Sequence, residues 1–565
     1  MNQKTKTHDL LVPLSKREDF KKKANHYPSW QLTDRQICDL ELLLNGGFAP
    51  LKGFMSKADY ESVLINMRLI DGSLWPIPIT LDISDEFAET IRHEEKIALR
   101  DKEGFCLAIL TINDIWKPIL EKEAEYVYST KDITHPAVNY LINVGNKNYV
   151  GGSLEGLSLP HHYDFQNDRH TPTELKSIFK EKKWKKIVAF QTRNPLHRAH
   201  VEMTLRASKD LNSKLLIHPV VGMTKLGDID HYTRVRCYKK VLKKYPDNTA
   251  MISLLPLAMR MGGPREALWH ALIRKNYGCT HLVIGRDHAG PGDDKFGKPF
   301  YRPYDAQEIL AKYQDEIGIE IVPFKFMVYL PKTNRYEIID KVKKEEDYKT
   351  ISGTELRKLL DEGKGIPDWF SYPEVAEELE LSNPSLTERG LTIFFTGLSG
   401  SGKSTLANGL FIKLMEEGSR PVTLLDGDIV RTHLSSELGF SKEHRSINVQ
   451  RIGYVASEIT KNGGIAICAP IAPYISDRRF NRELISSIGG YIEIYVNTSL
   501  EKCEERDAKG LYELARKGLI KEFTGISDPY EPPENADLVV NSSGISPEKL
   551  VNQIYNRICK IGYIK

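Results

Sequence analysis

The stretch that decides most about this chain is Gly397-Leu-Ser-Gly-Ser-Gly-Lys403-Ser404-Thr405. The apolar run Leu391–Thr396 precedes it and a helical pattern follows it, so the order is buried strand, turn and helix. Glycines let successive backbone N–H groups converge on one anion, and the helix N-terminus adds partial positive charge. The sequence therefore predicts a P-loop rather than a glycine-rich turn without a ligand. The predicted ATP contacts are Gly397, Leu398, Ser399, Gly400, Ser401, Gly402, Lys403, Ser404 and Thr405.

Two aspartates stand at the end of the next predicted strand. Asp426-Gly-Asp428 follows the apolar residues 421–425. Carboxylates that face a P-loop can orient Mg²⁺ and accept a proton from an attacking hydroxyl. We therefore predict a Mg²⁺ site at Ser404 and Asp426 and a catalytic role for Asp428. The alternative is a simple Asp-Gly turn.

Composition and charge narrow the class of protein. The 565 residues are 41% hydrophobic and 27% charged, with a net charge of +3, which does not indicate a nucleic-acid binder. The seven cysteines include no close pair, so neither zinc nor a disulfide framework is expected. The N-terminus lacks the apolar core of a signal peptide, and no apolar run is long enough to span a bilayer. We expect a cytoplasmic protein that acts on small molecules, with neither nucleic acid nor membrane as a partner.

Clusters of proline, glycine, serine and asparagine divide the sequence into four parts. They lie at 159–172, 364–373 and 381–390. Short β-rich runs at 75–82, 96–100 and 106–112 precede the first cluster and predict a mostly-β domain. Apolar strands alternate with helical segments from 185 to 331 and again from 391, which predicts two parallel α/β domains. The expected fold is multidomain α/β, with parts at 1–168, 169–330, 331–388 and 389–565.

A second candidate nucleotide site lies in the first α/β part. The strand Ile187–Phe190 runs into Gln191-Thr-Arg-Asn-Pro-Leu-His197-Arg-Ala-His200. Asn194-Pro195 suits an N-cap followed by a first helical residue, which places His197 and His200 on one face of the opening turn. Two imidazoles there can donate hydrogen bonds to a triphosphate. The alternatives are a pair of structural histidines and a zinc site, but zinc needs three or four ligands, and no others are suitably spaced nearby.

Two further segments fit the same pocket. Gly285-Arg-Asp-His-Ala-Gly290 follows an apolar strand, so it lies at the carboxyl edge of the sheet, where open α/β sheets bind ligands. Ile351-Ser-Gly-Thr-Glu-Leu-Arg357 opens another helix, and its serine and threonine either face a ligand or serve only as a cap.

These segments resemble the ATP sulfurylase (sulfate adenylyltransferase) family. The resemblance extends to the motifs at 39–55 and 259–270 and covers nearly all of residues 10–385. It implies a PUA-like N-terminal domain at 1–168, a Rossmann-like nucleotidyltransferase domain at 169–330 and a small appended subdomain with a linker at 331–388. The implied catalytic residues are Thr192, Arg193, Asn194, His197 and His200. The implied sulfate contacts are Gln191, Arg193 and Ala289, and the implied ATP contacts are Gln191, Thr192, Arg193, Asn194, Gly285, Arg286, Asp287, His288 and Met327.

From Leu391 to the C-terminus the chain resembles APS kinase (adenylylsulfate kinase), a P-loop fold. Some members of that family carry a serine, once proposed to be a phosphorylated intermediate, before the proline that matches Pro473. This chain has Ala472 there, which leaves direct transfer from ATP to the substrate hydroxyl. The resemblance also implies a lid from Lys509 to Thr524. The implied contacts with adenylyl sulfate (APS) are Asp428, Arg431, Phe440, Arg445, Asn448 and Lys509.

The two resemblances together imply a bifunctional, sulfate-activating transferase, and both families commonly form homo-oligomers. ATP and sulfate would give APS and pyrophosphate, and a second ATP would convert APS into 3′-phosphoadenylyl sulfate (PAPS). One alternative is a sulfurylase with a catalytically silent, regulatory kinase-like domain, as in fungal relatives with a degenerate P-loop. Others are a sulfurylase that runs in reverse to make ATP, and a non-enzymatic scaffold. The complete loop at 397–405 favours catalysis.

Overall fold

The computed structural model describes residues 9–225, 227–343, 345–418, 420–507 and 510–564. The chain forms two compact units. The first comprises Met1–Ile351 and Pro367–Glu378, and the second comprises Ser352–Ile366 and Leu379–Lys565.

The N-terminal part of the first unit is built on a six-stranded mixed sheet. Its strands are β1 (Ser29–Gln31), β2 (Gly53–Phe54), β3 (Leu81–Ile83), β4 (Lys96–Arg100), β5 (Cys106–Trp116) and β6 (Asn148–Gly156). The order is β1-β4-β5-β6-β2 with β3 also paired to β6, and β1–β4 is a parallel pair in an otherwise antiparallel sheet. The helices of this part are α1 (Leu14–Ala24), α2 (Asp34–Leu44), α3 (Lys57–Asn66), α4 (Asp85–Thr90), α5 (Leu120–Tyr128) and α6 (Pro136–Asn139), with a π-helical turn at Tyr140–Val144.

Two expectations for this part need correction. Because the described residues of this part, from Asp9 onward, form six helices beside the six strands, the domain is mixed rather than mostly β. The run at 75–82 forms a strand only from Leu81, because Pro76 and Pro78 have no N–H group to donate to a ladder.

The second sheet of the first unit is fully parallel. Its strands are β7 (Ile187–Phe190), β8 (Lys214–Ile217), β9 (Ala250–Ile252), β10 (His281–Ile284) and β11 (Glu320–Pro323). The order is β11-β10-β7-β8-β9, so the chain reverses its direction of travel across the sheet between β7 and β10. The carboxyl ends of those two strands form the switch point at which open α/β sheets bind ligands. The helices here are α7 (Pro172–Glu181), α8 (Arg198–Asp210), α9 (His231–Leu242), α10 (Gly263–Asn276) and α11 (Asp305–Ile317), with a 3₁₀ turn at Gln166–Asp168.

A hairpin and two helices follow in the sequence. They are β12 (Met327–Leu330), β13 (Arg335–Ile338), α12 (Gly353–Asp361) and α13 (Pro373–Ser382), with 3₁₀ turns at Pro331–Thr333 and Ile339–Lys341. Ser352 caps α12: its hydroxyl accepts the Glu355 N–H over 3.2 Å, and the Glu355 carboxylate accepts the Ser352 N–H. The 351–357 segment therefore forms the helix cap that its sequence allows.

The second unit contains another fully parallel sheet. Its strands are β14 (Leu391–Thr396), β15 (Val422–Asp426), β16 (Ile465–Ala469), β17 (Gly490–Val496) and β18 (Leu538–Val540), in the order β15-β16-β14-β17-β18. Its helices are α14 (Lys403–Glu417), α15 (Gly427–Leu434), α16 (Lys442–Lys461), α17 (Ile475–Ser486), α18 (Leu500–Arg506), α19 (Leu511–Arg516) and α20 (Pro547–Ile561).

Strand β14 is buried on both faces, which explains why its sequence is mostly apolar and why its two threonines, Thr392 and Thr396, are buried as well. Leu391, Ile393 and Phe395 belong to one core cluster, together with residues of α14 and α20. Phe394 points to the opposite face and belongs to a second cluster with Ile452 of α16. Because a strand covered on both faces has no solvent-facing side, it shows no polar alternation.

Candidate active sites

The first candidate site lies where β7 and β10 end side by side. The two strands pair in parallel with Val283 opposite Phe190, so Gln191 and Gly285 both emerge at the carboxyl edge of the sheet. The structure therefore brings the two predicted segments, 191–200 and 285–290, to one place.

The turn after β7 differs from the sequence expectation. The helix α8 begins at Arg198 with His197 as its N-cap, not at Pro195 after Asn194. Thr192 explains the delay: its hydroxyl accepts the Asn194 N–H over 3.0 Å and donates to the Asn194 carbonyl over 2.8 Å. The same carbonyl accepts the Tyr238 hydroxyl over 2.8 Å, so it is engaged outside any helix.

His197 and His200 are neutral rings at the first turn of α8. The His197 backbone N–H donates to His200 Nδ1 over 3.1 Å, and His197 Nδ1 lies 3.0 Å from the Ser371 hydroxyl. Burial lowers the pKa of His197 to about 3 and that of His200 to about 4. Because Nδ1 of His200 accepts a hydrogen bond, the single proton of this ring lies on Nε2. His200 thus has an N–H group to donate at a helix N-terminus, where an anion is favoured.

Arg193, a predicted sulfate contact, is held by an aspartate. Its Nη1 atom lies 2.6 Å from both carboxylate oxygens of Asp228, and its Nη2 atom donates to the Gly290 carbonyl over 3.4 Å. Both side chains are largely shielded from solvent, which makes the pair less screened than a surface ion pair. Asp228 therefore fixes the direction of the guanidinium.

The turn after β10 has an unusual backbone. Asp287 and Ala289 adopt left-handed conformations with φ of 53° and 57°. The Ala289 carbonyl accepts the Gly263 N–H over 3.1 Å, which ties the turn to the start of α10. His288 lies deeper: its Nε2 is 3.1 Å from Nδ1 of His270, and burial lowers its pKa to about 3.

The two other residues assigned to ATP in this region are Arg286 and Met327. Arg286 pairs with the Asp287 carboxylate over 3.1 Å, and its guanidinium lies 5.9 Å from the centre of the Phe326 ring. Met327 begins β12, directly after that phenylalanine, and is half-buried.

The second candidate site is the P-loop between β14 and α14. Gly397, Gly400 and Gly402 have φ of 150°, 72° and 103°, and a Cβ at Gly397 would lie 2.7 Å from the Val496 carbonyl oxygen. The loop therefore needs glycine, and α14 begins at Lys403, three residues before the helical pattern that follows Thr405 in the sequence.

Two polar side chains of the P-loop, Lys403 and Ser401, are buried. Lys403 is 6% exposed, and its Nζ donates to the Leu398 carbonyl over 2.7 Å. The buried Ser401 hydroxyl has no hydrogen-bond partner among the residues that the structure describes. A cavity of about 570 Å³ borders Leu398, between the end of β17 and residues 525–532. The loop thus has donors available for an anion and open space beside it.

Both predicted aspartates lie at the start of α15. The Ser404 hydroxyl donates to Asp426 Oδ2 over 2.8 Å, and Asp426 Oδ1 accepts the Asp428 N–H over 3.0 Å. Asp426 thereby caps α15 and joins it to the P-loop. Asp428 is exposed within the first turn of that helix.

The predicted APS contacts form two groups on α15 and α16. Arg431 donates to the carbonyls of Leu438 and Gly439 and lies 4.4 Å from the centre of the Phe440 ring, which is 65% exposed. Such a ring is available to stack on a planar ligand.

The second group is buried. Arg445 Nη1 donates to the Thr524 hydroxyl, and its Nη2 lies 3.0 Å from Asp528 Oδ2. Within the described ranges, Asn448 Oδ1 lacks a hydrogen-bond partner although its residue is 6% exposed. Lys509 falls outside the described residues.

The sequence analysis did not identify several residues that contact the predicted site residues and hold them in place. Asp228, His270 and Ser371 lie 35, 79 and 174 positions from their partners Arg193, Gln191 and His197. Only His270 carries a signal, because it closes the 259–270 motif without an assigned role. Asp228 and Ser371 reach their partners only through tertiary packing, which no local sequence pattern predicts.

The described ranges contain no cluster of three or more histidine, cysteine, aspartate or glutamate side chains suited to a metal ion. None of the described helices combines the length and the apolar character needed to cross a membrane.

Comparison with known proteins assigns the chain to a family. The PUA-like domain model matches residues 2–159, the ATP-sulfurylase model 166–381 and the adenylylsulphate kinase model 389–541. The sulfate adenylyltransferase of Phaeosphaeria nodorum is 51% identical over 95% of this chain and 94% of that protein. That of Emericella nidulans is 50% identical over 99% and 98%. The chain belongs to the sulfate adenylyltransferase family.

A solved structure supports the same assignment over the full length. The hexameric APS kinase from Thiobacillus denitrificans is 38% identical, covers 99% of this chain and 98% of its own, and aligns with a TM-score of 0.80. This chain is therefore an enzyme of the transferase class with an ATP-sulfurylase domain and an adenylylsulfate kinase domain. Both family resemblances and the multidomain α/β fold, with a PUA-like domain first and a P-loop kinase domain last, are confirmed.

Proposed function

We propose that this enzyme activates sulfate in two steps. At the edge formed by β7 and β10, ATP and sulfate give APS and pyrophosphate. At the P-loop, APS and a second ATP give PAPS and ADP. The observation that carries the proposal is the complete P-loop site on a chain that also matches the ATP-sulfurylase model. In that site Lys403 donates to the Leu398 carbonyl and Ser404 donates to Asp426.

In the first step a sulfate oxygen forms a bond to the α-phosphorus of ATP, and pyrophosphate leaves with the electrons of the broken P–O bond. Negative charge grows on the leaving and non-bridging oxygens, so fixed donors aimed there lower the barrier. We assign this role to the Nε2–H of His200 and to His197. Gln191, Arg193 and the backbone at Ala289 hold sulfate, and Asp228 keeps the Arg193 guanidinium oriented.

The remaining assignments in the first site concern ATP. Residues 191–194, residues 285–288 and Met327 hold the nucleotide. Asp287 and Ala289 adopt left-handed conformations at the sheet edge, and backbone of this kind is often found where a turn holds a ligand.

In the second step the 3′-hydroxyl of APS attacks the γ-phosphorus of ATP, and ADP leaves. Asp428 accepts the hydroxyl proton, and Lys403 leaves the Leu398 carbonyl to contact the transferred phosphoryl group. Arg431, Phe440, Arg445, Asn448 and Lys509 hold APS, with Phe440 as a stacking surface and the arginines facing its anionic groups.

Mg²⁺ fits the pair formed by Ser404 and Asp426. A hydroxyl and a carboxylate oxygen lie 2.8 Å apart at an accessible position, and hard oxygen ligands suit this cation. When bound, Mg²⁺ neutralises charge on the β- and γ-phosphates.

Three further assignments belong to the same proposal. The four parts have the boundaries 1–168, 169–330, 331–388 and 389–565. The enzyme forms a homo-oligomer, which is supported by the hexameric state named for the Thiobacillus denitrificans relative. It acts in the cytoplasm.

The test uses the full chain with MgATP, labelled sulfate and pyrophosphatase, and resolves APS from PAPS. We expect PAPS as the main labelled product, and PAPS again when APS replaces sulfate. Accumulation of APS without PAPS in both reactions would make the kinase domain regulatory. If neither product forms from sulfate but APS and pyrophosphate give ATP, the enzyme runs in the reverse direction.

A further inference from the structure

A buried histidine that has no assigned role, His270, contacts two residues that do have one, Gln191 and His288. His270 on α10 has no exposed surface. Its Nε2 lies 3.5 Å from the amide nitrogen of Gln191, and its Nδ1 lies 3.1 Å from Nε2 of His288. The first neighbour is a proposed sulfate contact and the second a proposed ATP contact, so this inference rests on the proposed function.

The proton of the His270 ring is placed by a neighbouring carboxylate. Burial lowers the pKa of His270 well below its usual value, so the ring is neutral and carries one N–H. Its Nε2 lies 3.2 Å from Glu266 Oε1, one helical turn earlier. Burial raises the pKa of Glu266, but both of its oxygens accept backbone N–H groups, from Arg260 over 3.0 Å and from Gly262 over 2.7 Å, and this geometry favours the carboxylate as an acceptor. The His270 proton therefore belongs on Nε2, and its Nδ1 accepts a hydrogen bond from His288.

This proton position decides which way the Gln191 amide faces. Amide oxygen and nitrogen are assigned from their hydrogen-bond partners rather than from shape. With the nitrogen against His270 Nε2–H, two donors oppose each other, and the Gln191 oxygen is buried without a partner in the described part of the chain. The reversed amide lets its oxygen share the Nε2–H of His270 with Glu266 Oε1, and it turns the NH₂ group toward the other side. Sulfate offers only acceptors, and the reversed amide frees both N–H groups of Gln191 from His270 to serve it.

We propose that His270, held by Glu266, is a positioning residue that orients the Gln191 amide to donate to sulfate. His270 does not touch sulfate; it selects an acceptor-rich, tetrahedral anion through Gln191. Its other nitrogen fixes His288 in the same step, which couples the sulfate and ATP sides of the site.

The test compares His270→Phe with His270→Gln in the full chain. Phenylalanine keeps the ring volume but has no N–H. Glutamine can place its amide N–H near the position of Nε2. Misorienting a donor to an anion should raise the KM for sulfate about tenfold to a hundredfold in His270→Phe, with most of the loss recovered in His270→Gln. The KM for ATP should change less, because Gln191 and His288 are only two of its proposed contacts.

Two controls separate positioning from folding. His281 is also a buried histidine paired with a glutamate, Glu320, over 3.0 Å, but it lies at the opposite end of β10. His281→Phe should therefore leave the KM for sulfate unchanged. Thermal unfolding reports on the fold of each variant, and kinase turnover with supplied APS is the activity control for the other unit.

A double-mutant cycle with Gln191→Met gives the decisive result. If His270 acts through Gln191, the sulfate KM of the double variant should match that of Gln191→Met alone. Additive effects, or a sulfate KM in His270→Phe within about twofold of wild type, would overturn the inference. If His270→Phe does not fold, a His270→Gln sulfate KM as high as that of Gln191→Met would overturn it, and a near-normal one would support it. A wild-type enzyme that releases no sulfate-dependent pyrophosphate would instead remove the proposed function.

Discussion

The role of His200 can be separated from its contribution to the fold by one substitution. His200 accepts the His197 backbone N–H through Nδ1, so the proton of its neutral ring lies on Nε2. In His200→Asn, the side-chain oxygen can take the place of Nδ1, so the cap is kept while the Nε2–H is lost. We expect sulfate-dependent pyrophosphate release to fall by about 10²–10³, which is the usual cost of one preorganised donor. The free energy of unfolding should change by less than about 0.5 kcal/mol, whereas His200→Ala should lose about 1 kcal/mol with the cap contact.

The assay couples pyrophosphate release to a colorimetric readout and measures thermal unfolding and kinase turnover on supplied APS with the same samples. Kinase turnover should equal wild type in both variants. The reasoning fails if His200→Asn and His197→Ala both release pyrophosphate at near-normal rates. It also fails if the asparagine variant loses activity only in proportion to a loss of folded protein.

Three further outcomes are expected. Lys403→Ala should lower kinase turnover by about 10²–10³ and leave APS formation unchanged. Product analysis of the full chain measures both activities, and loss of both would contradict separate sites. Elemental analysis of the purified enzyme should find no stoichiometric zinc. Burial holds the pKa of His197 near 3 and that of His200 near 4. Below about pH 6.5 the two rings therefore bind protons in the unfolded chain but not in the folded chain. The free energy of unfolding should fall as the pH falls from about 6.5 to 4. The decrease should be up to about 1.4 kcal/mol per pH unit for each ring. Urea unfolding over that range checks this, and a rise in stability on acidification would refute it.

Local patterns in the sequence predict the parts of the fold that local physics controls. The strand Ile187–Phe190 and the P-loop at 397–405 are found where they are expected, because an apolar run followed by turn residues determines its own conformation. The start of α8 was predicted three residues early. The Thr192 side chain competes with the helix for the backbone of Asn194, and nothing in the residue types alone decides that competition.

The side chains that orient the candidate sites were less predictable. Arg193 is marked by its motif, but its partner Asp228 is brought in by the loop before α9. Similarly, Ser371 reaches His197 from 174 residues away. Such contacts depend on how elements pack, so a sequence reveals the residues that touch ligands more readily than the residues that hold them in place.

The route of phosphoryl transfer can be tested at Ala472. Ala472 is buried with φ of 46°, and its carbonyl accepts Arg478 Nη1 over 2.7 Å and the Thr396 hydroxyl over 3.2 Å. These contacts fix the backbone, so Ala472→Ser adds a hydroxyl without moving the chain. If APS takes the phosphoryl group directly, with Asp428 as the proton acceptor, kinase turnover should stay within about twofold of wild type. Acid-quenched Ala472→Ser protein should also carry no label after incubation with γ-labelled ATP. Ala472→Gly, which suits the left-handed backbone, serves as the matched control. Labelled protein together with a turnover about tenfold above that of wild type would show that a covalent route is better in this domain, and would refute direct transfer as its preferred chemistry.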